Sequence, residues 1–207
     1  MQILIVAATA DEIAPLTSHF ADNYPFDILI TGVGMVATAF ALGKHLALKQ
    51  YDLVINLGIA GSFDRSIPLG EVVEITEDRI AELGAQDDEV FLSIEALGFG
   101  ESCFNPSKKL ADFGIAVKQA KAITVNTVHG HEDSISKISQ RLQPQLETME
   151  GAAFFYACKQ AGVNCIQIRS VSNYVEKRNR DAWKIGLAIK NLNTFAIGFV
   201  EQLIGKA

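Results

Sequence analysis

Three short apolar runs, each closed by turn-forming residues and two of them followed by helical spacing, set the tightest limit on what this chain can fold into. Residues 3–8 are apolar throughout, residues 27–31 run into Gly32-Val33-Gly34, and residues 53–57 run into Gly58-Ile59-Ala60-Gly61-Ser62. A run of that length without polar alternation fits a strand buried on both faces, as in a parallel sheet. Ile13, Leu16 and Phe20 recur at helical spacing over 11–20, and 36–48 reads as an amphipathic helix. Strand, turn and helix in this order predict an α/β sheet with its ligand beyond the strand C-termini.

The middle is less regular. Residues 71–83 alternate enough for a long strand, 84–107 are rich in turn residues, and short strands are expected at 115–117 and 122–125. A helix over 134–142 stops before Pro144. The α/β rhythm then returns, with a helix over 151–161, a strand over 165–170 and a last helix over 180–204. No repeat or linker interrupts the 207 residues, so one domain over 1–207 is expected.

Composition excludes several classes. Hydrophobic residues at 49% against 20% charged support a packed core rather than disorder. The net charge of -6 counts against nonspecific binding to nucleic acid or anionic membrane. Cys103, Cys158 and Cys165 lack CxxC spacing and read as reduced thiols. Met1-Gln2 enters the first apolar run without a basic leader, and no stretch approaches the ~20 apolar residues of a membrane span. A cytoplasmic location is expected.

Several polar residues fall where this topology would place a ligand. Glu12 follows the first strand, where a carboxylate serves either as general acid or base or as a helix-start residue favoured by the macrodipole. Gly32-Val33-Gly34 is half a dinucleotide fingerprint, but Ala37 stands at the third glycine and no acidic residue closes a second strand. A tight turn that lets a ligand approach the backbone is the simpler reading, and Gly58–Ser62 repeats it. Glu150 opens the apolar run 151–155, where a charge needs a partner; it either caps the helix or accepts hydrogen bonds from a ligand. Asn173 is a turn former or a ligand-facing amide. Lys177-Arg178-Asn179-Arg180 is a solvated helix start or an anion-binding fork. His19, His45, His129 and His131 show no metal-ligand spacing, so no metal is expected, nor a nucleophile triad.

Taken together, these segments resemble the purine nucleoside phosphorylase and nucleosidase superfamily, and within it the bacterial nucleosidases. The resemblance runs from Met1 to about Trp183. Residues 1–12 are similar to the opening strand and loop that deliver the catalytic carboxylate, 31–39 to the glycine-turn helix, and 56–62 to the small-residue loop beside the base. Thr148-Met149-Glu150-Gly151-Ala152-Ala153 is similar to the family's Met-Glu-Ala-Ala block, in which Met packs on ribose and Glu binds its 2′ and 3′ hydroxyls. Residues 169–173 match the strand ending at the purine contact. The resemblance implies a three-layer α/β/α sandwich on a central mixed twisted sheet, a nucleoside substrate, no cofactor, and a homodimer or higher homo-oligomer.

Two departures carry the finer reading. The family's methylthioadenosine/adenosylhomocysteine nucleosidases have an aspartate where this chain has Asn173, and usually a serine where it has Ile59. An amide offers one donor and one acceptor, which suits a 6-oxopurine, and a buried donor–donor mismatch with the other base costs roughly 1–3 kcal/mol. With the 178–183 segment, these features look like the futalosine hydrolases, which release hypoxanthine. Residues 7–11 and 56–62 contain no arginine or lysine to hold phosphate, so water is the expected nucleophile. The resemblance implies Glu12 and Asn173 as catalytic residues. It places Glu150 and Met149 at the ribose, Ala60, Gly61, Thr127 and Val128 around the base, and Trp183 with Arg178 at the 5′ tail. The family's stacking phenylalanine is absent beside Thr127.

Overall fold

The computed structural model describes residues 1–21 and 24–205. The elements in chain order are β1 (Ile3–Ala7), α1 (Ala10–Phe20), β2 (Asp27–Ile30), α2 (Met35–Leu46), β3 (Leu53–Ser62) and β4 (Val72–Ile80). A hairpin of β5 (Gly84–Asp87) and β6 (Val90–Ser93) follows, then β7 (Cys103–Phe104), β8 (Lys118–Thr124), α3 (Glu132–Leu142) and β9 (Leu146–Thr148). The chain ends with α4 (Gly151–Ala161), β10 (Cys165–Tyr174) and α5 (Ile185–Gly205).

The strands form a mixed sheet with helices on both faces. β2, β1, β3 and β10 lie side by side and parallel. β10 then pairs antiparallel with β4, β4 parallel with β8, and β8 parallel with β9. β9 returns antiparallel to β3, so five of the strands close into a ring while β1 and β2 extend from it. The unbroken apolar runs are explained by this position. In β1, Leu4 and Val6 pack into a core that includes Leu42 of α2 and Phe154 of α4. Ile3, Ile5 and Ala7 pack the other way, against Ile13 of α1 and Leu192 of α5. Successive side chains of a strand point to opposite faces, so a strand covered on both sides must be apolar at every position. Phe154 and Phe155 are each at most 1% exposed, worth about 1.5–3 kcal/mol apiece in burial.

Several expectations need correction. Residues 58–62 are not a turn but the second half of β3, where Gly58 pairs with Arg169, Ala60 with Val171 and Gly61 with Asn173. Their small size serves close approach instead: a Cβ at Gly58 would lie 2.6 Å from Arg169 Nη1. β1 lies between β2 and β3. The two strands expected at 115–117 and 122–125 are replaced by β8 alone, whose exposed Lys118, Gln119 and Lys121 hid its extent. β9 was unforeseen, since three residues carry no periodicity. β10 continues four residues past Ser170. The last helix begins at Ile185, because the Lys184 N–H donates to Ser172 O at 2.8 Å and a 3-10 turn occupies Arg180–Ala182. No helix among the described residues is long and apolar enough to cross a membrane.

Candidate active site

Parallel β1, β2, β3 and β10 end on one edge of the sheet, and their following loops meet there, as open α/β sheets require of a ligand crevice. They surround a cleft of about 400 Å³. Glu12, Met149, Glu150, Ala60, Gly61, Val128, Asn173, Arg178 and Trp183 line it. Thr127 does not; it is exposed on the loop after β8.

Glu12 is fixed from three sides. Its Oε2 accepts from Thr9 N at 3.0 Å and Thr9 Oγ1 at 3.1 Å, while Oε1 accepts from Ile59 N at 3.2 Å. The two Thr9 contacts are helix-start interactions, so the capping and cleft-facing readings of Glu12 coexist. The backbone beneath it is braced by Asn193 of α5. That carboxamide donates to Glu12 O at 2.8 Å and accepts from Leu16 N at 3.0 Å, occupying the rung of α1 beside Pro15.

Glu150 reaches across to the start of α2, where its Oε1 accepts from Gly34 N at 2.9 Å. Gly34 has φ 97°, a conformation that favours glycine, and the helix N-terminus favours the carboxylate. Burial nevertheless pushes the Glu150 carboxyl above its ordinary value. Arg169 and the Gly34 N–H oppose that rise, and the like charge of Glu12 adds to it.

Arg169 is the hidden member of this set. It is 2% exposed, and its Nη2 donates to Asn56 Oδ1. Burial pushes its pKa down, while Glu150, Glu12 and Asp78 hold it up. One cation thus balances three carboxylates from beneath the cleft floor. Asp78 is buried, accepts from Thr124 Oγ1 at 2.7 Å and Gln167 Nε2 at 3.1 Å, and is pushed up to about 6 by desolvation. Gly151 is obligatory above it, since a Cβ there would lie 2.0 Å from Asp78 Oδ2.

Asn173 stands where β10 departs from its register with β3, between Val171 and Asn173. Ser172 Oγ donates to Asn173 Oδ1 at 2.8 Å, and Asn173 Nδ2 donates to Tyr174 O at 3.1 Å. These bonds hold the carboxamide plane and leave one N–H and one oxygen lone pair for a ligand. At the far end Arg178 stacks over Trp183, 5.2 Å from the ring centroid. Arg178 is the sole Lys or Arg side chain among the described residues lining the cleft.

The sequence reading gave no role to Asn193, Arg169 or the pair His129–Glu147, whose side chains meet at the cleft wall. An arginine in the middle of a strand buried over eight successive residues was a usable signal for Arg169. Nothing local marks Asn193, 181 residues from Glu12.

Chemically the site offers a carboxylate poised near open space, a second carboxylate beside it and an amide at the opposite wall, with no cation near Glu12 facing the cleft. The profile of the phosphorylase superfamily matches residues 24–204. The chain is 33% identical over 188 residues to futalosine hydrolase of Streptomyces coelicolor, covering 86% of this chain and 80% of that one. It is 29% identical over 219 residues to 5′-methylthioadenosine/S-adenosylhomocysteine nucleosidase of Colwellia psychrerythraea, covering 96% and 89%. The crystal structure of a Colwellia psychrerythraea nucleosidase of that kind in complex with adenine superposes with a TM-score of 0.82 at 24% identity, covering 98% of this chain and 96% of that one.

Proposed function

The chain belongs to the phosphorylase superfamily, and from that footing we propose that it hydrolyses the N-ribosidic bond of futalosine, releasing hypoxanthine and dehypoxanthine futalosine for menaquinone biosynthesis. Its nucleosidase relatives make it an enzyme that cleaves N-glycosidic bonds. The observation that carries the substrate is Asn173, a carboxamide held in plane by Ser172 on the cleft wall. It can donate to the oxygen or N7 of a 6-oxopurine and accept from a base N–H.

Glu12, pinned by Thr9 and Ile59, activates a water for attack on the anomeric carbon. Glu150 holds the ribose hydroxyls, and its charge favours the positive charge that grows on the sugar. Met149 packs on the ribose, while Ala60, Gly61 and Val128 border the base. Trp183 covers the 5′ tail, and Arg178 meets the carboxylate of futalosine. The absence of any lysine or arginine from residues 7–11 and 56–62 supports water over phosphate as nucleophile. The enzyme works as one domain over 1–207, as a homodimer or higher homo-oligomer in the cytoplasm.

A second reading, an adenine-releasing methylthioadenosine/adenosylhomocysteine nucleosidase, is favoured by the 96% coverage of this chain in the match to the Colwellia psychrerythraea enzyme. Incubation with futalosine and with methylthioadenosine, followed by chromatography of the free bases, separates the two. Hypoxanthine release supports futalosine; adenine release alone refutes it. Glu12→Gln should lower turnover by about 10²–10⁴-fold, and an unaltered rate would remove Glu12 from its role. Arg178→Ala should raise the KM for futalosine, and an unchanged KM would detach the tail from Arg178.

A further inference from the structure

The cleft wall carries one titratable pair that the mechanism above leaves unused. In β9, Glu147 lies directly opposite Gly61 of β3, and Gly61 pairs on its other side with Asn173 of β10. Residues opposite one another in register project to the same face. Asn173 and Glu147 therefore flank a position that has no side chain. Neighbouring strands are ~4.8 Å apart, so the flanking backbones are separated by roughly 10 Å; the Asn173 carboxamide leans over Gly61, its Nδ2 3.2 Å from where a Cβ would be, and Asn173, Glu147 and His129 all line the one cleft.

Glu147 is only 4% exposed, and a lone charge there would be costly. His129 answers it twice: its backbone N–H donates to Glu147 Oε1 at 3.0 Å, and its ring Nδ1 meets Oε2. Burial pushes the Glu147 carboxyl up, and His129 pulls it back. With Nδ1 committed, Nε2 is the free ring nitrogen; among the described residues it has no protein partner. The ring lines the cleft on one side and a solvent-open hollow between α3 and the β5–β6 hairpin on the other.

The chemistry of the leaving group gives this pair a task. A carboxyl at position 173 could hand a proton to the departing purine, whereas the Asn173 carboxamide donates a hydrogen bond but no proton. Resting on the 6-oxopurine reading above, we propose that His129, oriented by Glu147, is the acid that serves the base. Its Nε2–H binds the ring carbonyl oxygen of a 6-oxopurine and transfers its proton as the glycosidic bond breaks. The bond's electron pair passes into the purine, and the charge reaching the carbonyl oxygen is neutralised by that proton. Water's oxygen bonds to the anomeric carbon, and its proton goes to Glu12, which releases it to solvent before the next turnover. His129 is reprotonated from solvent through the hollow, and the enol form of the base reverts to the keto form in water. A 6-aminopurine presents N–H groups at the same place, donor against donor. His129 is thereby also a specificity residue, and Glu147 a positioning residue.

The test is calorimetric binding of free hypoxanthine and adenine, paired with chromatographic turnover of futalosine. Wild type should favour hypoxanthine. His129→Ala should weaken hypoxanthine binding about 10–100-fold and leave adenine binding within about twofold of wild type. His129→Gln, which keeps a neutral N–H donor, should retain most of the affinity yet lose about 100-fold in turnover. Glu147→Gln should lower turnover and the preference for hypoxanthine together. If His129→Ala unfolds, as a melt would reveal, the two glutamine variants carry the test. Equal losses for both bases, unaltered variants, or no base preference in wild type would overturn the proposal. Should wild type cleave futalosine while the variants keep its preference and rate, this inference fails alone. Should wild type release only adenine, the 6-oxopurine reading falls and takes this one with it.

Discussion

Gly58→Ala should cripple the site by crowding Arg169 and Glu12 from β3. Gly58 lies in β3 opposite Arg169 and outside the left-handed region, so its backbone accepts alanine and any cost comes from contact alone. The added Cβ would sit 2.6 Å from Arg169 Nη1, 3.2 Å from Arg169 Cζ and 3.1 Å from Glu12 Oε1. The guanidinium cannot swing away freely, because it is buried and tied to Asn56. Overpacking costs about 1–3 kcal/mol, and a strained charge-assisted hydrogen bond adds about 1.5–3 kcal/mol. The expected loss is therefore roughly 2.5–6 kcal/mol of stability, or about 5–24 °C in Tm for a chain of this size. Displacing Arg169 also withdraws the cation that balances Glu12, Glu150 and Asp78, so turnover should fall more than the melting temperature alone would suggest. Differential scanning calorimetry together with nucleoside hydrolysis below the transition reads both effects. A variant with wild-type Tm and rate would refute the claim that Arg169 is locked against Gly58.

Three further outcomes are expected. Asn193→Ala leaves Leu16 N and Glu12 O without their bridge, so urea unfolding should show a loss of about 2–4 kcal/mol, and the rate should drop although Asn193 does not line the cleft. Ser172→Ala frees the Asn173 carboxamide to rotate; kcat/KM should fall about 5–10-fold, measured by steady-state kinetics. Asp78→Asn tests the buried acid: with a native value near 6 against an ordinary 3.8, the native state holds the extra proton between these limits. Wild-type stability relative to this variant should therefore fall as pH rises from about 4 to 6, by on the order of 3 kcal/mol, and stay low above. Chemical denaturation across that range reads the difference.

Much of the scaffold was legible because its cause is local. The runs at β1 and β2, the helices α1, α2 and α4, and the carboxylates that follow β1 and precede α4 all announce themselves within a dozen residues. A strand covered on both faces has to be apolar, and a glycine turn has to precede a helix packed this closely. The misreadings share the opposite property. Gly58–Ser62 has turn composition, yet it is strand, because its small residues admit Arg169 and Asn173 from β10. β9 has three residues and no period of its own; it exists because β3 and β8 hold it from both sides.

The sequence by itself thus pointed to the layered α/β plan, to the sheet edge where the cleft lies, and to Glu12, Glu150 and Asn173 among the residues that line it. Only the tertiary structure decided how those groups are held. Asn193 braces Glu12 from the far end of the chain, Arg169 balances three carboxylates from below, and Glu147 orients His129 across Gly61. Propensity and periodicity act over a few residues, whereas the placement of a buried charge is fixed by whichever distant groups can satisfy it at hydrogen-bonding distance.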